Sequence, residues 1–248
     1  MVVFKADLHV HTVLSPCGDL EMSPVNIVEE AARKQIDVLG ITDHNSTKHG
    51  ALIKKLAEKK GIFVLCGAEV TTKEDVHCLT FFETIEALTD FQDFLENHLK
   101  GVKNKPEIFG HQVVVDEHDH IIEEVDTLLI SALDQTIDQV EQKVHKLGGL
   151  FIPAHIDRPA YGLIGQLGFV PPDIAADALE ISGYTNRKEM INKYKYLAGY
   201  TFIKNSDAHI PEQIGARYNL LEMEERSFKE VAMALRNLDG RRVIDEQS

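Results

Sequence analysis

Asp7-Leu8-His9-Val10-His11 follows the apolar run Val2-Val3-Phe4 and sets a carboxylate and two imidazoles at alternate positions. Alternate side chains of a β-strand share a face, so the spacing predicts Asp7, His9 and His11 side by side near a strand's C-terminal end. Two neutral imidazoles beside a carboxylate form half of a divalent-metal site. A bare His-x-His is common, but related groups follow later apolar runs. They are Asp43-His44 after Gly40-Ile41-Thr42, Glu69 after Cys66-Gly67-Ala68 with His77 beyond it, His155 after Pro153-Ala154, and Asp207-Ala208-His209 after Asn205-Ser206. Any one such histidine is more often a surface or hydrogen-bonded residue. Their repetition at successive strand ends points to one shared metal site.

The elements that must position these residues alternate between strand and helix. Strands are expected over Val2–Leu8, Val38–Thr42, Ile62–Ala68, His77–Phe82, Leu150–Ile156, Ala178–Ile181, Thr201–Ser206 and Tyr218–Met223. A helix should begin at Ser23-Pro24, a capping residue followed by proline at the first helical position, and run to about Lys34. Others are expected over His49–Lys60, stopped by Gly61, and over Ile85–Leu99, Thr136–Leu147, Arg187–Leu197 and Phe228–Leu238. The polar segment 100–122 breaks the pattern, with Val113-Val114-Val115 as a short strand, half of a hairpin. His111, His118 and His120 fall there, in what reads as a solvated turn. His49, His98 and His145 fall on helices and are expected to face solvent. Repeated βα alternation without a linker or internal repeat predicts one α/β domain over residues 1–248, either a barrel or a doubly wound sheet. Both gather ligands at the C-terminal ends of strands.

Bulk composition narrows the function classes. The 248 residues carry a formal net charge of −14, a poor basis for tight nucleic-acid binding, which depends on clustered Lys and Arg. A short nucleotide or a nucleic-acid end stays admissible as substrate, because bound cations would offset that charge locally. No apolar run approaches the ~18 residues of a membrane span, and no basic-then-apolar leader opens the chain. Cys17, Cys66 and Cys78 form no CxxC, so a reduced, cytoplasmic protein without a disulfide framework is expected.

Together, Asp7–His11, Thr42-Asp43-His44, Glu69 with His77, His155 and Asp207-Ala208-His209 resemble the polymerase and histidinol phosphatase (PHP) domain family of metal-dependent phosphoesterases. The matching stretches occur in the family's order over nearly the whole chain. The resemblance implies a single distorted (β/α)7 barrel, with up to three divalent ions at the C-terminal ends of its strands. It implies that His9, His11, Glu69 and Asp207 hold one ion, that Glu69 bridges to a second held by His77 and His155, and that His44, His209 and an acid after His11 hold the third. Asp43 would orient a ligating imidazole, and Asp7 would do likewise or complete a ligand set. In the loop Thr12-Val13-Leu14-Ser15-Pro16-Cys17-Gly18-Asp19, Asp19 is the preferred third-site acid; Cys17, a soft donor favouring zinc, and Glu21 are the alternatives.

Such a cluster would lower the pKa of water and clamp phosphoryl oxygens, with no protein nucleophile needed. The chain accordingly has neither a GxSxG elbow nor a GxxxxGK[ST] loop. Arg158, three residues after His155, is a candidate phosphate contact, as are Arg187 and Arg217. Asp207, His209 and Arg158 are expected to carry catalysis. The expected substrate is a phosphomonoester or related phosphoester of a small metabolite or nucleotide, with zinc, manganese or iron as the metal. An amidohydrolase-type C–N hydrolase and a non-catalytic barrel acting as a partner protein are the alternatives.

Overall fold

Val2–Val10 forms β1, which runs past the expected Leu8 and takes His9 into the strand. The computed structural model describes residues 1–244. Helix α1 (Pro24–Arg33) begins where the capping pattern places it: the Ser23 side chain accepts from Asn26 N, and Pro24 opens the helix. Next come β2 (Val38–Ile41), α2 (Gly50–Glu58), β3 (Phe63–Thr71), β4 (His77–Phe82) and α3 (Ile85–His98). The polar segment folds into a short helix α4 (Pro106–Phe109) and an antiparallel hairpin of β5 (Val113–Val115) and β6 (Ile121–Glu124). Helix α5 (Ile137–Lys146) starts with a reciprocal cap between Thr136 and Gln139. It leads to β7 (Leu150–Pro153), α6 (Leu163–Leu167), β8 (Leu179–Glu180) and α7 (Arg187–Lys193). The helix expected over 187–197 breaks at Tyr194 and resumes as a 3₁₀ segment, Lys195–Gly199. The described chain ends with β9 (Phe202–Ile203), β10 (Asn219–Met223), α8 (Phe228–Leu235) and β11 (Arg242–Ile244).

The fold is mixed α/β, built on a seven-stranded sheet of order β11-β10-β1-β2-β3-β4-β7. Strands β1, β2 and β3 are parallel; β4 is antiparallel to β3 and β7 antiparallel to β4, so β7 runs with the first three. Beyond β7, Asp177 N donates to Phe151 O and Ile156 N to Glu180 O, which joins it to the parallel pair β8–β9. On the other side, His11 N donates to Ala208 O and Ala208 N to His9 O. These bonds link β1, β2, β3, β4, β7, β8 and β9 into a ring. It is not the regular succession of βα units expected: β4 follows β3 without a helix and runs backwards, and β8 and β9 are only two residues each.

Two apolar layers sandwich the strands. Leu8, Val38, Leu65, Leu79, Phe81, Leu150, Ile152 and Ile203 pack together, with Phe228, Val231 and Leu235 of α8 plugging the same cluster. Their sequence neighbours Leu39, Val64, Cys66, Phe82, Phe151 and Phe202 pack outward in the larger cluster shared with α1, α2, α3 and α5. This alternation is the period-2 signature of strands covered on both faces, and burying each large side chain contributes about 1.5–3 kcal/mol.

Candidate metal centre

Glu69 lies in β3 on the same face as Leu65, whose side chain packs in the inner cluster. Its carboxylate is the focus of the site. Oε1 is 2.9 Å from His77 Nδ1, 3.1 Å from His155 Nε2 and 3.3 Å from His9 Nε2. Oε2 faces a different set, 3.1 Å from His44 Nδ1 and 3.4 Å from His11 Nε2. The Asp207 carboxylate closes another side, with Oδ1 3.2 Å from His9 Nε2 and 3.4 Å from His11 Nε2. Glu69, His9, His11, His44, His77 and His155 are all buried.

Topology explains how distant residues meet. Because β4 is antiparallel to β3, its first residue, His77, pairs with Thr71 and lies where β1–β3 finish. His77 opens its strand, as the expected range His77–Phe82 has it. Asp43 and His44 follow β2, His155 follows β7, and Asp207 and His209 follow β9. His155 (φ +30°) and Asp207 (φ +53°) are both held in the left-handed region, a strain of order 1–3 kcal/mol each that surrounding contacts must offset. Tyr161 stacks on the His77 ring at 4.4 Å between centroids.

Asp7 departs from the expectation. The register between β1 and β2 shifts between Asp7 and Val10, and Leu8 packs inward whereas Val10 packs outward. The two-residue alternation slips at this bulge, so Asp7 does not join the histidines. Its Oδ1 accepts from Ser206 N and its Oδ2 from Gly215 N, which fixes the loop leading to Asp207. Burial raises its pKa to about 6.

A second tier of polar groups sets the imidazole tautomers. His9 Nδ1 donates to both oxygens of Glu180, at 3.1 Å each. Glu180 also accepts from His155 N and from Asn205 Nδ2, while Asn205 Oδ1 accepts from Leu8 N. Asp43 accepts from Thr12 N, Thr12 Oγ1 and Ser15 Oγ. Ser15 Oγ in turn accepts from His11 Nδ1 and His44 N. With their Nδ1 atoms so occupied, His9 and His11 point Nε2 into the cluster. Glu180, Asn205 and Ser15 were missed in the sequence. The signal available for Glu180 was a lone acid inside the apolar run Ala178–Ile181.

Charge in the cluster favours a cation. Burial alone would raise Glu69 and Asp207, but the facing histidines hold both carboxyls well below their usual range. His9 is held well above the usual histidine value by Glu180, Asp207 and Glu69, against the opposing effect of burial. Burial and neighbouring imidazoles instead depress His44, and push His209 down to about 4, keeping both neutral donors. His44 Nδ1, His77 Nε2 and His155 Nδ1 are buried and make no hydrogen bond among the described residues. Ionised carboxylates and neutral imidazoles converging on one another fit divalent metal.

Three overlapping groups bring candidate ligand atoms within 4.8 Å of one another: His9, His11 and Glu69; His44, Glu69 and His77; and His11, Cys17, His44 and His209. The last contains Cys17 and not the expected Asp19. Asp19 is exposed, and its Oδ1 accepts from Glu21 N, while exposed Glu21 offers its carbonyl to Asn26. Arg158 Nη1 is 2.8 Å from Asp207 Oδ2, at the edge of the centre. Arg217 is exposed, with its guanidinium over Gly183, and Arg187 opens α7. Neither is among the groups that converge on Glu69. A recess of about 460 Å³ lined by Asp157, Arg158, Pro159, Ala160, Ser182 and Tyr184 adjoins the centre through Arg158. His49 corrects another expectation: it is buried, with Nδ1 2.7 Å from Thr12 Oγ1 and Nε2 accepting from Val115 N.

Residues 7–161 match the family model of the PHP domain, and residues 186–239 match that of the PHP-associated region. An uncharacterized protein of Bacillus subtilis (strain 168), YqxK, is 27% identical over 96% of this chain and 63% of its own length. The lesion-specific endonuclease PfuEndoQ of Pyrococcus furiosus superposes with a TM-score of 0.74 at 21% identity, over 98% of this chain and 58% of that one. A candidate metal-dependent phosphoesterase from Bifidobacterium adolescentis gives a TM-score of 0.61 at 19% identity, over 91% and 93% of the two chains. At these identities the structural likenesses are likenesses of fold. The chain spans about three-fifths of the length of YqxK and of PfuEndoQ.

Proposed function

The chain belongs to the PHP domain family, and from that premise we propose that it is a metal-dependent phosphoester hydrolase acting on a small phosphorylated metabolite or nucleotide. The observation that carries this reading is the Glu69 carboxylate, with three imidazoles on one oxygen and two on the other.

His9, His11, Glu69 and Asp207 would hold one ion and Glu69, His77 and His155 a second, with His44 and His209 serving a third. Ions held there supply an acidified water and neutralise charge developing on phosphoryl oxygens. The chain's own groups do the rest. Glu180 and Ser15 keep His9 and His11 in the donor tautomer. Burial of the cluster excludes bulk water and strengthens its electrostatics. Arg158, held against Asp207 and bordering the recess, presents a fork of N–H groups to a phosphate. Glu180, Asn205 and Asp7 tie β1 to segments 180–215, which supports reading the chain as one domain.

A second reading, hydrolysis of a nucleic-acid phosphodiester, is favoured by the likeness to PfuEndoQ over nearly the whole of this chain. One assay tests both. Manganese-loaded protein is offered aryl phosphates, nucleoside monophosphates and 3′,5′-bisphosphates, with orthophosphate as readout, beside an oligonucleotide read by gel. Orthophosphate release lost in His9→Ala supports the first reading, and oligonucleotide cleavage alone supports the second. A metal-loaded chain inert to all of these overturns both.

A further inference from the structure

We propose that Cys17 is a thiolate ligand, completing with His44 and His209 a sulfur-containing site that takes zinc in preference to manganese. The proposal rests on the reading of the surrounding cluster as a metal centre and adds to it a donor that the carboxylate-and-imidazole pattern lacks. Three observations converge on this corner.

His209 Nδ1 donates to Asp207 O at 2.8 Å, so its Nε2 carries the lone pair, and that atom lies 3.0 Å from Cys17 Sγ. His11 marks the boundary of this corner: Ser15 spends its hydroxyl proton on Asp43 and can only accept from His11 Nδ1, so the one lone pair of His11 is at Nε2, 3.4 Å from Glu69 Oε2 and Asp207 Oδ1, and belongs to the neighbouring ion. The second ring, His44, is buried; its Nδ1 makes no hydrogen bond among the described residues and lies 3.1 Å from Glu69 Oε2, and the ring brings a ligand atom within 4.8 Å of those of Cys17 and His209. The loop itself is built to deliver the sulfur. Ser15 N donates to Thr12 O and Gly18 N to Ser15 O, folding two successive turns, and Asp19 N donates to His209 O at 2.9 Å. Cys17 is thereby pinned opposite His209, while the Asp19 carboxylate turns away to Glu21 N.

Two imidazoles and one sulfur make a Cys-His₂ donor set, three protein ligands of the kind a zinc site with one open position uses. Thiolate is a soft ligand, so selectivity moves away from manganese, which prefers oxygen donors. Binding balances simply: the thiol gives its proton to solvent as the sulfur–metal bond forms, with no change of oxidation state.

The test uses the full chain stripped of metal and reloaded with cobalt(II) or zinc(II), without substrate. The expected result is a near-ultraviolet sulfur-to-cobalt charge-transfer band in the parent protein that Cys17→Ser abolishes, with one fewer zinc per chain by elemental analysis. Cys17→Asp should restore the stoichiometry without the band and raise the manganese-to-zinc occupancy ratio under competition at least tenfold. Cobalt uptake with no sulfur band, or Cys17→Ser with unchanged spectrum and zinc content, overturns the thiolate and leaves the metal centre standing. A chain that takes up no cobalt at all overturns both.

Discussion

Both carboxylate oxygens of Glu180 lie 3.1 Å from His9 Nδ1, on the side of the ring opposite Glu69 and Asp207. Glu180 makes its remaining bonds to His155 N and Asn205 Nδ2, so one buried acid orients groups from three separate strand ends. Glu180→Gln keeps the shape but weakens acceptance from His9. Removing such supporting partners typically lowers metal affinity ~10- to 100-fold. We expect a loss in that range for zinc or manganese by competition titration. Unchanged affinity would show that Glu180 is not needed to orient His9.

Asp43 anchors Thr12 N, Thr12 Oγ1 and Ser15 Oγ in a buried setting. Hydrogen bonds to a charged group are worth about 1.5–3 kcal/mol each. Asp43→Ala should therefore cost at least about 3 kcal/mol in urea unfolding, even in metal-free protein. A cost under about 1 kcal/mol would mean that the Thr12–Ser15 turn holds itself.

Arg158 is half-exposed and paired with Asp207. Arg158→Ala should leave unfolding within about 1 kcal/mol of the parent, as for other exposed pairs. On the phosphate-binding reading it lowers kcat/KM about tenfold to a hundredfold, mostly through KM. Steady-state kinetics on the substrate identified above decides this, and a purely structural defect would appear instead as a lower Tm.

His145 lies 3.6 Å from Asp177, whose hydrogen bond raises the imidazole pKa. A raised folded-state value means that the contribution is complete below the unfolded pKa of about 6.5 and is lost as pH rises through the folded value. Because the ring is partly exposed, screening limits the effect to below about 1 kcal/mol. Denaturation curves of His145→Gln and parent should therefore converge above neutral pH and separate below it. A constant offset across pH would exclude the pairing as its source.

Much of the site was legible because its donors are few in type and close to strand ends. His9, His11, His44, Glu69, His77, His155, Asp207 and His209 were all identified by residue, and all lie in the cluster. The misreadings have specific physical causes. Asp7 was placed with His9 on the strength of strict alternation, which a bulge between Asp7 and Val10 interrupts. His77 was read correctly as the first residue of its strand, but the antiparallel pairing that carries it to the metal face was not, because nothing local distinguishes a strand that runs backwards beside its predecessor. Asp19 was preferred to Cys17 for its distance from Ser23-Pro24, and spacing along the loop does not reveal the two turns and the Asp19 N–His209 O bond that set Cys17 beside His209 while the Asp19 carboxylate accepts from Glu21 N. His49 looked like a helical surface residue, but the hairpin that buries it comes from 113–124, far along the chain. Glu180 needed the strand's partner to be known before its role could be seen.

Among the described residues, two backbone bonds join β1 to the segment after β9, from His11 N to Ala208 O and from Ala208 N to His9 O, beside side-chain bonds of Asn205, Ser206 and Asp7. His9 and His11 stand on one side of that junction, and Asp207 and His209 on the other. An ion gripping both sides would act as a clasp on this seam, coupling occupancy to its mechanical integrity. Stripping the metal should unfasten this junction before the rest of the fold yields. The amides of His11 and Ala208 would then exchange with deuterium sooner than those of the β2–β3 pair, and refilling the centre would slow them again.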